Sequence, residues 1–206
     1  MVKGGPVYQF KISLLGISPA IWRRIQVPES YTFWDLHVAI QDSMGWLDYH
    51  LHAFRFAAVE GRRAIEIGIP GQGDSDDATI PGWSVGIADR FIRPGISVIY
   101  EYDFGDGWVH EVLLEGMLLR EPKTRYPKCL AGARACPPED CGGISGLREL
   151  LKVLRNPKHP EYAGMVGWLG GHARNYLPYE PDQFDPSKVR FMNPKQRLEK
   201  ALSGKG

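Results

Sequence analysis

The sequence predicts an α+β fold, a mixed and mostly antiparallel sheet packed with helices in a single domain. Three observations carry that expectation. Alternating apolar and polar runs separated by Gly, Pro and Asp-Gly breaks dominate the first half of the chain. Apolar residues at helical spacing dominate the second half. No strand–helix–strand rhythm and no glycine-rich phosphate loop occurs, which argues against a dinucleotide-binding or P-loop architecture.

The elements follow in order. Tyr8–Leu15 alternates as a strand, Gly16-Ile17-Ser18-Pro19 breaks it, and Ile21–Val27 is its hairpin partner. Pro28-Glu29-Ser30 ends that strand. Thr32 then caps a helix, with Asp35 placed to close a capping box. Phe33, Leu36, Ile40 and Met44 form its apolar face, and Gly45 stops it. His50–Val59 is the next strand, turned at Gly61 into Ala64–Ile69. Pro70–Gly82 is a long polar loop. Ile87–Ile92 fits either a short helix or a strand. Residues 97–115 form a hairpin about Asp106-Gly107. Tyr126–Gly146 is irregular and rich in Gly, Pro and Cys. Ser145 caps a helix through Leu147, Leu150, Leu151 and Leu154, and Asn156-Pro157 ends it. A short basic helix near Pro194–Leu202 closes the chain. The domain is expected over residues 1–190, with 191–206 as a basic C-terminal helix or tail.

At 206 residues, with 43% hydrophobic and 11% aromatic content, the chain can bury a core of its own. A net charge of +1 exerts no global pull toward nucleic acid or an anionic membrane. The charges are uneven, however. Acids prevail over residues 59–115, and Lys and Arg prevail over 120–158 and 185–206. No run is long and apolar enough for a membrane helix. The opening Met-Val-Lys-Gly-Gly-Pro has no secretory character, and three cysteines are an odd count for a disulfide framework. A cytoplasmic protein without a membrane partner is therefore expected.

Several residues could carry chemistry. A two-residue turn at Asp106-Gly107 would set Asp103 directly opposite His110, a carboxylate fixing an imidazole as a general base or metal ligand. The same pair could be a structural hydrogen bond, and a three-residue turn would separate them. His50 and His52 share one strand face and could present two imidazoles to a metal, with Asp106 nearby, or could sit at the margin of the core. His37 lies within the apolar stripe of the first helix, as a buried and hydrogen-bonded histidine would. Cys129, Cys136 and Cys141 could hold a structural zinc with a histidine as fourth ligand, or could be small buried thiols. Glu139 and Asp140, between Pro137-Pro138 and Gly142-Gly143, are aimed either into a cleft or into a turn. No G-x-S-x-G or H-E-x-x-H motif occurs.

Five stretches occur together and in order: Ile21-Trp22-Arg23-Arg24-Ile25; Leu36-His37 with Gly45-Trp46; His50-Leu51-His52-Ala53-Phe54; Tyr102-Asp103-Phe104-Gly105-Asp106-Gly107-Trp108-Val109-His110; and Cys136-Pro137-Pro138-Glu139-Asp140-Cys141-Gly142-Gly143. From about Tyr8 to Val189 the chain resembles the plasmid pRiA4b ORF-3-like family, some members of which are labelled TnpR-type passenger proteins of insertion elements. The resemblance implies a one-domain α+β fold and carries no established activity. It also implies recurring polar positions at His37, His50, His52, Asp103, Asp106, His110, Glu139 and Asp140. A recombinase is not expected, because the N-terminal region is a β-hairpin rather than a nucleophile-bearing segment. The expectation is a non-catalytic binding or adaptor module associated with mobile DNA elements, with nucleic acid or a protein as partner. The alternative is a metal-dependent hydrolase, with phosphodiesters as the candidate substrates, using zinc or another divalent metal at the His/Asp set.

Overall fold

The computed structural model describes residues 5–58, 64–71 and 79–203. Alternation in the first strands becomes one buried face. Along β1 (Val7–Leu14) the side chains of Tyr8, Phe10, Ile12 and Leu14 point inward. Along β2 (Ile21–Pro28) Ile21, Arg23, Ile25 and Val27 do the same. The remaining strands are β3 (His52–Phe56), β4 (Ile65–Gly68), β5 (Thr79–Pro81), β6 (Ser97–Tyr102), β7 (Trp108–Leu118) and β8 (Lys128–Ala133). They form one sheet in the order β5-β4-β3-β6-β7-β1-β2-β8. Every pairing is antiparallel except β4 with β5.

Helix α1 (Phe33–Met44) lies on the inward face. Thr32 Oγ1 accepts the Asp35 N–H at 3.2 Å and Asp35 Oδ2 accepts the Thr32 N–H at 2.9 Å, so the capping box closes as expected. Gly45, at φ 99°, ends the helix in the left-handed conformation that a side chain would resist. Phe33, Leu36, Ile40 and Met44 pack onto the sheet, Phe33 edge-on to Phe54 at 5.0 Å. The opposite sheet face carries cross-strand pairs such as Arg24–Glu115 at 2.6 Å and Arg55–Glu66 at 2.9 Å. The acids that prevail over residues 59–115 are in part partners of arginines on other strands, Arg24–Glu115 reaching across β1 and Arg55–Glu66 joining neighbours.

Helices α2 (Gly143–Leu154), α3 (Tyr162–Gly171) and α4 (Pro194–Leu202) follow the sheet. The segment expected as a basic tail is anchored to α1. Trp34 Nε1 donates to Pro194 O at 2.9 Å, and Arg197 Nη2 pairs with Asp42 Oδ1 at 3.1 Å.

The structure departs from the sequence expectations in several places. Strand β3 begins at His52, so His50 lies outside it and does not share a strand face with His52. The irregular 126–146 stretch contains β8, and α2 begins at Gly143 rather than after Ser145. Helix α3 was not expected, because four glycines among its ten residues blur the apolar stripe. Residues 87–89 form a single 3₁₀ turn. The turn expected at Gly61 and most of the 70–82 loop lie outside the described residues.

Candidate metal centre

The hairpin register is the main correction. Tyr100 pairs with His110 and Tyr102 with Trp108, so Asp103 does not face His110. The loop spans five residues instead of two because Asp103 starts it. Asp103 sits at φ 57°, and its Oδ1 accepts the Gly105 and Asp106 N–H groups at 3.0 and 3.2 Å. Its carbonyl accepts the Gly107 N–H at 2.7 Å. An aspartate that caps its own turn in this way competes successfully with the two-residue Asp-Gly alternative.

His110 is instead a core residue. Its Nδ1 bonds Tyr100 O at 3.2 Å, its ring meets Trp46 edge-on at 5.2 Å, and burial pushes its pKa down to about 4. His52 is buried and stacked on His37 at 3.4 Å, and among the described residues it belongs to no cluster of three candidate ligand atoms. His37 bridges Tyr100 Oη (2.9 Å) and Asp48 Oδ1 (2.8 Å), as a hydrogen-bonded core histidine does. Among the described residues, no cluster of three ligand atoms includes a cysteine. Burial pushes all three thiols upward, Cys141 to about 12, as it does for small buried thiols.

What does converge is His50, Asp103 and Asp140, each offering one ligand atom within 4.8 Å of the others. His50 Nε2 lies 2.9 Å from Asp140 Oδ1 and 3.7 Å from Asp103 Oδ2. His172 Nε2, at the end of α3, is 4.0 Å from Asp140 Oδ2. Asp103 is 8% exposed at its side chain, and with Oδ1 engaged by two amides its Oδ2 is left to face His50.

Three loops are clamped together to achieve this. Asp106 Oδ2 accepts the Gly142 N–H at 3.1 Å, tying the hairpin tip to the Asp140 loop. Gly143 is required there, since a Cβ would lie 2.5 Å from Asp106 O and the residue has φ 66°. Glu139, fully buried, accepts the Leu47 N–H at 2.6 Å and the Tyr102 Oη–H at 3.0 Å. Tyr102 Oη also accepts the Tyr49 N–H at 3.1 Å, which holds the loop that carries His50. Burial pushes the Glu139 carboxyl pKa upward. Glu139 and Asp106 are thus positioning groups, while Asp140 carries the contact to His50.

The donor set fits a divalent cation. Tetrahedral ligands at about 2.1 Å from a zinc ion are roughly 3.4 Å apart, which the His50–Asp140 and His50–Asp103 separations bracket. His50 Nε2 is buried and has no aligned hydrogen bond, despite its 2.9 Å approach to Asp140. A second group, Glu149, His159 and Glu161, lacks this character. There Lys152 pairs with Glu149 at 2.9 Å, and His159 Nδ1 accepts the Glu161 N–H at 3.2 Å. That bond leaves the proton of a neutral ring on Nε2, a donor toward the carboxylates without any metal.

The sequence analysis named His50, Asp103 and Asp140 but grouped them differently, and it missed His172. No local signal marks His172, since it follows a helix that the glycines conceal.

Among the described residues, no helix is long and apolar enough to cross a membrane. The sequence pattern of the plasmid pRiA4b ORF-3-like protein family matches residues 6–188. An uncharacterised protein of Sinorhizobium fredii, y4hQ, is 33% identical over 165 residues, covering 80% of this chain and 81% of its own. A crystal structure of a protein of unknown function from Methanosarcina mazei Go1 is 42% identical. It superposes with a TM-score of 0.79 over 92% of this chain and 100% of its own. With the match running from the first strand to the segment before α4, this chain belongs to the plasmid pRiA4b ORF-3-like family.

Proposed function

We propose that this protein binds one divalent cation through His50, Asp103 and Asp140 and uses it for metal-assisted hydrolysis. The observation that supports the reading is the convergence of three ligand atoms from three separate loops, with His50 Nε2 buried and without an aligned hydrogen bond. Three protein donors leave coordination positions for water and substrate, the pattern of catalytic rather than structural metal sites. The half-exposed Asp140 side chain leaves one side of the cluster open to solvent. A bound metal would supply an activated water and polarise an electrophile. His172, within reach of Asp140, would supply a fourth donor or move a proton. The test is elemental analysis of protein purified without chelator, followed by titration of zinc and manganese into His50→Ala, Asp103→Asn and Asp140→Asn. One metal per chain in the parent and none in the variants is expected. A parent that binds neither ion, or variants that bind like the parent, would end the reading. Metal-dependent turnover of a simple phosphodiester tests the hydrolytic part separately.

A second reading, a non-catalytic adaptor tied to mobile DNA, has one structural support. The exposed Lys188, Arg190 and Lys200 line one wall of a wide cleft. A nucleic-acid partner there requires affinity that falls steeply with salt. Salt-insensitive binding to oligonucleotides, or none, would remove it. The link to mobile DNA itself rests on the description of the family.

A further inference from the structure

Arg23 occupies an inward-facing position of β2, between Ile21 and Ile25, and is 1% exposed. Arginine is almost never buried so fully without a carboxylate. Among the described residues, none lies within ion-pair distance of it. Its guanidinium instead donates to three backbone carbonyls: Nε to Ser43 O at 2.9 Å, and Nη1 to Trp22 O at 2.9 Å and Ala133 O at 3.0 Å. Those bonds use three of its five N–H groups, and both on Nη2 remain. The face of the guanidinium is covered by Phe184, 3.7 Å away. Phe184 in turn occupies the space left by Gly132, where a Cβ would collide with its ring.

Arg23 also lines the large cleft, about 1550 Å³, between the 42–49 segment and the chain from Arg174 to Ala201. Phe184 covers one face and the Nε and Nη1 groups are bonded, so Nη2 is the part of the guanidinium without a hydrogen bond in a residue that lines this cleft. Arg174, Arg190 and Lys200 line the same cleft.

We propose that this cleft binds a small anionic ligand, and that Arg23 receives the ligand's oxyanion, a carboxylate or a phosphoryl group, through the two N–H groups of Nη2. The two kinds of oxyanion share the chemistry that matters here, acceptor oxygens for a preorganised guanidinium edge. Carbonyls from α1, β2 and β8 hold the side chain in place before the ligand arrives, so little ordering is left to the binding step. The cleft is larger than one oxyanion needs, which leaves room for the body of the ligand among Tyr49, Tyr176 and Phe184. The inference stands apart from the metal centre, whose ligands do not line this cleft.

The experiment is a titration of chelator-treated protein with inorganic phosphate and, separately, with citrate, followed by ¹H–¹⁵N NMR of the arginine Nε–H groups. Chelation keeps phosphate captured by a metal from being read as cleft binding. A saturable shift at Arg23 Nε–H with either probe is expected, and the tighter probe identifies the class of oxyanion. Arg23→Lys, which keeps the charge but loses the forked donor, should weaken that probe about tenfold. Saturable shifts elsewhere with Arg23 Nε–H unmoved, or no saturable shift with either probe, would overturn the proposal. The parent titration decides it even if Arg23→Lys does not fold.

Discussion

Acidification should destabilise this protein through His110, by an amount the structure allows to be worked out. Its ring is fully buried among Tyr100, Trp46 and Trp108, and the charge that faces it, the Arg23 guanidinium, also disfavours a proton. The pKa is pushed down from 6.5 to about 4. The unfolded chain therefore binds a proton before the native one does, and native stability falls as pH drops below 6.5. Integrating that difference from pH 7.5 to pH 5 gives a loss of about 2 kcal/mol from this residue alone. His52, also buried and shifted downward, acts in the same direction. Urea unfolding at the two pH values measures the total. Repeating it on His110→Leu isolates the term, because the variant should show a pH dependence smaller by about 2 kcal/mol. An unchanged pH dependence in His110→Leu would refute the reasoning, since a histidine that titrates normally in the fold contributes nothing to it.

Other perturbations separate the parts of the site from the parts of the fold. Gly143→Ala forces a Cβ onto Asp106 O at positive φ, and should cost at least about 2 kcal/mol in chemical unfolding while loosening the Asp140 loop. Asp106→Ala removes the acceptor for the Gly142 N–H; it should cost about 1 kcal/mol and weaken zinc binding at least tenfold, roughly the effect of losing an outer-shell support. Thr32→Ala opens the capping box of α1 and should lower stability by about 1 kcal/mol, with zinc binding unchanged in calorimetry.

Much of the fold was legible because its signals are local. The Thr32–Asp35 box, the stop at Gly45 and the alternation in β1 and β2 are each set by a few neighbouring residues, and tertiary packing did not override them. The hairpin was legible, but its register was not. Asp106-Gly107 favours a two-residue turn, yet the Asp103 side chain captures two amides and lengthens the loop to five residues. That outcome separated Asp103 from His110 and placed Asp103 beside His50. Strand β8 was hidden in an irregular composition because it is an edge strand paired to β2 alone, with most of its residues only half-buried. The association of His50 with Asp140 had no signature of its own. It depends on Glu139 and Tyr102 fastening two loops that are distant in the chain.

The order of the strands has a consequence for how this site comes into being. Adjacent hairpins such as β1–β2 and β6–β7 close over short stretches of chain and can form early. His50, Asp103 and Asp140 belong to three different segments, and the last reaches its place only when the loop after β8 docks against Asp106. Only the assembled fold brings the three side chains together, so any chemistry built on them is confined to the finished molecule.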